Sequence, residues 1–133
     1  MGSGKKPPGT VILADTSVWV GHLRSPDNEM LFLLNQRRIW RHPVVMGEIA
    51  VGSIDSRDKV LRSMIAIFEA KIARHSYVLA MINEKRLYGR GVGYNDCQLI
   101  ASAIITDDTT LWTRDKRMSA VIRELGIAYT PQG

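Results

Sequence analysis

Apolar positions along the chain fall into short continuous runs and longer helical stripes, and the two kinds alternate. Val11 to Ala14 is a continuous run that stops at Asp15, Thr16 and Ser17, which predicts a buried strand delivering Asp15 to its carboxyl end. Thr16 to His22 predicts a short helix, for which Asp15 also suits the N-cap. Ser25-Pro26-Asp27 opens a second helix ending near Gln36, with Met30, Leu31, Leu33 and Leu34 as its apolar face. Ile39 to His42 predicts a second strand, and Pro43 suits the first turn of a helix through Val51. A longer helix is expected from Ser56 to about Phe68, then a short strand at Lys71 to Ala73 and a helix from about Ser76 to Leu87. Beyond a glycine-rich loop, Leu99, Ile100, Ala103 and Ile104 stripe a helix from Tyr94 to Ile105. Asp107-Asp108 turns into a strand from Thr109 to Thr113. A helix then runs to Leu125, where Gly126 ends it, and Ile127 to Thr130 predicts a last short strand.

Strands alternating with helices predict an α/β fold around a central, mainly parallel sheet. Ligands of such sheets bind beyond the carboxyl ends of the strands. Asp15 and Asp115 each follow a strand tip, and Asp96 lies in the first turn of a helix, where an acid also serves as a cap or dipole partner. Glu48 has Val44, Val45, Val51 and Gly52 at three and four positions' distance, so its carboxylate is expected to project from a face that otherwise belongs to the core. A lone buried carboxylate costs several kcal/mol by order of magnitude, which implies a partner base or a cation. Asp107 and Asp108 fall at the opposite end of the sheet and are assigned no chemistry.

Composition narrows the classes. The 133 residues make one domain, with 1–10 read as a flexible leader that has in part the look of a cloning scar, and 11–133 as the folded unit. A single cysteine, Cys97, inside an apolar helical pattern excludes a disulfide scaffold and fits the cytoplasm. No apolar run approaches the ~20 residues of a membrane span, and no signal peptide is present. His22, His42 and His75 are scattered, without zinc-site spacing. Gly89-Arg90-Gly91-Val92-Gly93 follows a helix rather than a strand, so it is not a dinucleotide fingerprint. A net charge of +5 and a pI near 9.7 favour polyanionic company.

Two carboxylates about 4 Å apart repel by roughly 4 kcal/mol at an effective dielectric of ~20. Asp15, Glu48, Asp96 and Asp115 gathered at one edge therefore require a counter-ion. Oxygen-only ligands select hard ions, Mg²⁺ or Mn²⁺. Such an ion lowers the pKa of a bound water and stabilises a leaving oxygen, the needs of phosphodiester hydrolysis. Arg37, Arg38 and Arg41, then Lys85, Arg86 and Arg90, then Arg114, Lys116 and Arg117 flank the expected site and are candidates for holding a nucleic-acid backbone. Tyr88 and Tyr94 are candidates for stacking on bases, whereas Trp112, inside a strand, fits the core.

Asp-Thr-Ser-Val-Trp at 15–19, Gly-Glu-Ile-Ala at 47–50, Gly-Arg-Gly-Val-Gly-Tyr-Asn-Asp at 89–96 and Leu-Trp-Thr-Arg-Asp-Lys-Arg-Met at 111–118 together resemble a PIN domain, and more closely the VapC toxins of type II toxin–antitoxin pairs. The resemblance implies a three-layer α/β/α fold and an Mg²⁺- or Mn²⁺-dependent endoribonuclease acting on structured RNA, tRNA or rRNA, to arrest translation. It implies that Asp15, Glu48, Asp96 and Asp115 are the catalytic and metal-site acids, with Thr16, Ser17 and Thr113 as supporting hydroxyls; of the flanking basic residues, Arg90, Arg114 and Lys116 are the candidate RNA contacts. It also implies a homodimer and a VapB-like antitoxin. Two other classes remain open on sequence: a non-catalytic PIN scaffold that binds RNA or protein, and a receiver-like phosphoacceptor at Asp15. The retained Asp115 speaks against the first, and the missing acidic pair near the first strand against the second.

Overall fold

The structure is a computed structural model that describes residues 10–132, so the expected leader lies outside the described residues except for Thr10. Three parallel strands, β1 (Val11–Ala14), β2 (Ile39–Trp40) and β3 (Thr109–Trp112), make a sheet of order β2-β1-β3. The register pairs Ile12 with Ile39 on one side and Leu13 with Leu111 on the other. β1 is central, and all four of its residues are buried, which is why it carries no polar alternation. Chain direction across the sheet reverses between β1→β2 and β2→β3, so right-handed crossovers lay helices over opposite faces. The result is the three-layer α/β/α arrangement.

Among the described residues seven helices fill the outer layers: α1 (Thr16–Arg24), α2 (Asn28–Asn35), α3 (Pro43–Val51), α4 (Arg57–Ile65), α5 (His75–Glu84), α6 (Tyr94–Ile105) and α7 (Lys116–Glu124). α6 contributes Leu99, Ile100, Ala101 and Ala103 to the core and packs on β3, α5 and α3. α1 packs on both β1 and α3. No helix among the described residues is long and apolar enough to cross a membrane.

Several expected elements are corrected. The strand expected at Lys71–Ala73 is a single parallel rung two residues earlier, between Glu69 and Arg41. Arg41 donates its N–H to Phe68 and accepts from Ala70, but α3 begins at Pro43, so the sheet has no further partner to extend the rung. The last strand is likewise one rung, Ala128 on Leu111. α4 ends at Ile65 rather than Phe68 because the Arg41 guanidinium takes the terminal carbonyls of Met64 and Ile65, while Phe68 turns back to lie 5.5 Å from the Trp40 ring. α5 stops at Glu84, short of Leu87, where Arg86 adopts a left-handed conformation (φ 54°) and Leu87 N–H returns to Ile82. Leu31 is about half exposed and does not join Met30 and Leu33 in the core.

Candidate active site

The carboxyl ends of β1 and β3 lie side by side, with Ala14 paired to Trp112 and Asp15 N–H donating to the Trp112 carbonyl at 2.9 Å. Asp15 is only 6% exposed, so its charge has to be satisfied internally. Its Oδ1 accepts from the Ser17 hydroxyl at 2.5 Å and from Val18 N–H at 3.2 Å, and its Oδ2 accepts from the Thr113 hydroxyl at 2.5 Å. The helix cap and the site carboxylate are thus the same group: Asp15 caps α1 while lying at the sheet edge.

The Ser17 and Thr113 oxygens are themselves acceptors. Arg114 N–H donates to Ser17 Oγ at 2.9 Å, and Asp115 N–H donates to Thr113 Oγ1 at 3.0 Å. The loop Thr113–Asp115 therefore wraps Asp15 through two hydroxyl relays before Asp115 caps α7 through Met118 N–H, at 2.8 Å. Chains of this kind polarise one another and hold each oxygen in one orientation.

Glu48 is exposed, which overturns the expectation that it is buried on the core side of its helix. The helix interior is Val45 and Ile49, whereas Val51 and Gly52 are exposed. α3 is apolar nearly all round, so the identity of the neighbouring residues does not reveal which face is inside. No burial penalty at Glu48 demands a cation. Its carboxylate instead faces α1 and α6, accepting from the Thr16 hydroxyl and from Asn95 Nδ2, the latter at 3.4 Å.

Asp96 is half-buried and accepts Gly93 N–H at 3.1 Å. Its carboxyl is pushed above the usual range first by burial and then by the negative charges of Asp15, Asp115 and Glu48, against the opposing pull of Gly93 N–H. The negative charges of Asp15, Asp115 and Glu48 thus all reach Asp96. Among the described residues no three His, Cys, Asp or Glu side chains are drawn close enough to grip an ion. The acids are neighbours in charge, not a closed cage. Their chemistry fits a hard divalent cation: the donors are all oxygens, they come from four different segments, and a cation would relieve the repulsion at Asp96.

The flanking cations differ in their engagement. Arg90 makes a two-pronged ion pair with Glu124, at 2.8 and 2.5 Å. Arg114 Nη2 donates to Asp27 at 2.9 Å. Lys116 is exposed in the first turn of α7. Tyr88 and Tyr94 are exposed, and the Tyr94 hydroxyl meets His75 Nδ1 at 2.6 Å and Gln98 Nε2 at 2.9 Å. Trp112 is buried against Tyr129, as core. Asn95, which donates to Glu48, and Gly21 and Asp27, which both meet the Arg114 side chain, carry no chemistry that the sequence alone assigns. Asn95 had one legible signal, an amide directly before Asp96 at a helix start.

Fold and site together define an α/β domain with acidic side chains at the carboxyl edge of a parallel sheet. The PIN domain family model matches residues 12–124. Ribonuclease VapC32 of Mycobacterium tuberculosis is 41% identical over 122 residues, covering 92% of this chain and 98% of that protein. Two crystal structures share the fold: PAE2754 from Pyrobaculum aerophilum, with a TM-score of 0.57 at 14% identity over 87% of this chain and 86% of that one, and FitAcB from Neisseria gonorrhoeae, with a TM-score of 0.55 at 20% identity over 85% and 94%. The chain belongs to the PIN-domain family and, within it, to the VapC branch.

Proposed function

We propose that this chain is the toxin of a type II toxin–antitoxin pair, an Mg²⁺- or Mn²⁺-dependent endoribonuclease that cuts structured RNA, tRNA or rRNA, and thereby arrests translation. The observation that carries the reading is the 41% identity to a ribonuclease over 92% of this chain, supported by Asp15 and Asp115 at the carboxyl edge of the sheet and by the charges of Asp15, Asp115 and Glu48 that reach Asp96. These four acids would hold the metal, which when bound supplies an acidified water and neutralises charge on the leaving oxygen. Ser17 and Thr113 orient Asp15, while Thr16 and Asn95 orient Glu48, so that the carboxylates are set before RNA arrives. Lys116, exposed in the first turn of α7, and Arg90, which also pairs with Glu124, are the candidates for guiding the RNA backbone. The reading places the protein in the cytoplasm as a homodimer, held inactive by a VapB-like antitoxin.

Cleavage of total cellular RNA by the purified protein with Mg²⁺, with Mn²⁺ and with EDTA, beside Asp15→Asn, tests the reading. Discrete fragments are expected with either metal, and none with EDTA or the variant. Equal silence of wild type and variant under all conditions overturns it. Lys116→Gln is expected to weaken RNA binding uniformly across sequences and to reduce the slope of log K against log salt by about 1. An unchanged slope in a filter-binding series removes Lys116 from the interface.

A further inference from the structure

The side chain of Arg114 lies flat on α1 at the one place where the helix has no side chain. A Cβ added to Gly21 would stand 2.0 Å from Arg114 Nη1 and 2.8 Å from its Cζ. Gly21 is therefore required by the close approach of a guanidinium. Beyond Gly21 the guanidinium reaches Asp27, whose Oδ2 accepts at 2.9 Å while Oδ1 caps α2 through Met30 N–H at 3.0 Å. Asp27 is fixed in turn, its own N–H donating to His22 Nδ1 at 3.0 Å. At its other end Arg114 is tied by its backbone N–H to Ser17 Oγ, one bond from Asp15.

We infer that Arg114 is a positioning residue: laid over Gly21 and fastened to Asp27, it straps the Thr113–Asp115 loop down so that Thr113 and Ser17 hold Asp15 and Asp115 is presented at the same edge. This deepens the nuclease reading and rests on it. It departs from the expectation that Arg114 binds RNA, and the two roles give opposite signs at Asp27. Where Arg114 is an RNA ligand, Asp27→Asn removes a competing negative charge and RNA affinity improves. Where Arg114 is a strap, Asp27→Asn loosens the loop and slows the chemistry. Asparagine caps helices as well as aspartate does, so α2 is kept.

Gly21→Ala provides the second variant. The clash falls on the far end of a flexible side chain, so the arginine swings away, and alanine is a better helix former than glycine. The fold is retained while the strap opens. In steady-state cleavage, Gly21→Ala and Asp27→Asn are each expected to lower kcat by ~10- to 100-fold with KM within about twofold, the scale of small misplacement at a reacting centre. The double variant is expected to lose little more than either single one. Amide exchange followed by NMR in the absence of RNA is expected to show faster exchange at Arg114 and Asp115 in both single variants. Lower KM in Asp27→Asn with kcat unchanged overturns the strap, as does unaltered protection of both amides. Exchange is read without RNA and so judges the strap separately: loosened amides in a protein that cuts no RNA would sink the nuclease reading and leave the strap standing.

Discussion

Asp96→Asn is expected to reduce RNA cleavage on the order of 100-fold or more, the scale of losing one preorganised electrostatic contact, and at the same time to raise the melting temperature of the metal-free protein by a few degrees. The second effect follows from the raised carboxyl pKa of Asp96, caused by burial and by its three acidic neighbours. A native pKa above the unfolded value of about 3.9 means that the folded state holds the proton more tightly. The stabilising contribution is complete below the unfolded value and is lost as pH rises through the folded one. At neutral pH the charge on Asp96 therefore works against the fold. Asparagine keeps the size and the acceptor for Gly93 N–H, which lies at 3.1 Å, and removes the charge. Thermal melts in EDTA measure the gain, and melts with added Mn²⁺ measure ion binding, since a ligand that binds only the native state raises its stability. Wild type is expected to gain more from Mn²⁺ than the variant. A variant that melts no higher in EDTA, or that still cuts RNA at the wild-type rate, refutes the account.

How far such an edge is legible in sequence depends on what fixes each part. β1 is central and its continuous apolar run announces it, while β3, Thr-Thr-Leu-Trp, is marked by β-branched and aromatic residues following the Asp107-Asp108 turn. Once the sheet is parallel, every strand tip arrives at one edge, so Asp15 and Asp115 were placeable from Val11–Ala14 and Thr109–Thr113 alone. The outer rungs at Glu69 and Ala128 were not, because each is one residue long and is set by which backbone groups Arg41 and Leu111 leave open. Glu48 was misplaced in depth for a different reason. Six of the nine residues of α3, Val44, Val45, Met46, Ile49, Ala50 and Val51, are apolar, so periodicity carries no facing information there. Arg114 is the extreme case. Its partner Asp27 is 87 positions away and its seat is a glycine whose need for smallness is visible only in three dimensions. Long-range side-chain pairing leaves no local pattern, and charge composition gives Arg114 the opposite reading.

His42→Ala is expected to destabilise the protein by about 3 kcal/mol, or ~10 °C in Tm, and to flatten its stability profile on the acid side. His42 is 2% exposed at the end of β2 and joins the two helices that carry Glu48 and Asp96. Its Nδ1 accepts Val44 N–H at 3.0 Å, capping α3, and its Nε2 meets Ser102 Oγ on α6 at 2.8 Å. An Nδ1 that accepts leaves the proton on Nε2, so the ring is neutral and donates to Ser102. Loss of the cap costs about 1 kcal/mol, and an orphaned hydroxyl at fully buried Ser102 a further ~1–3 kcal/mol. Burial lowers the His42 pKa to about 4, opposed by Glu69. The unfolded chain, with a histidine pKa near 6.5, therefore binds the extra proton first. Stability from this group is complete above about pH 6.5 and declines toward pH 4, at up to ~1.4 kcal/mol per pH unit. A second proton would land on Nδ1 and abolish the α3 cap, so acid acts on the helix that presents Glu48. His42→Asn retains a side-chain acceptor at the cap position but cannot titrate. Denaturant melts between pH 4 and 7 are expected to show a steep acid limb in wild type, a shallower one in His42→Asn, and a lower and equally shallow one in His42→Ala. An acid limb of wild-type steepness in both variants would assign the proton uptake to another group.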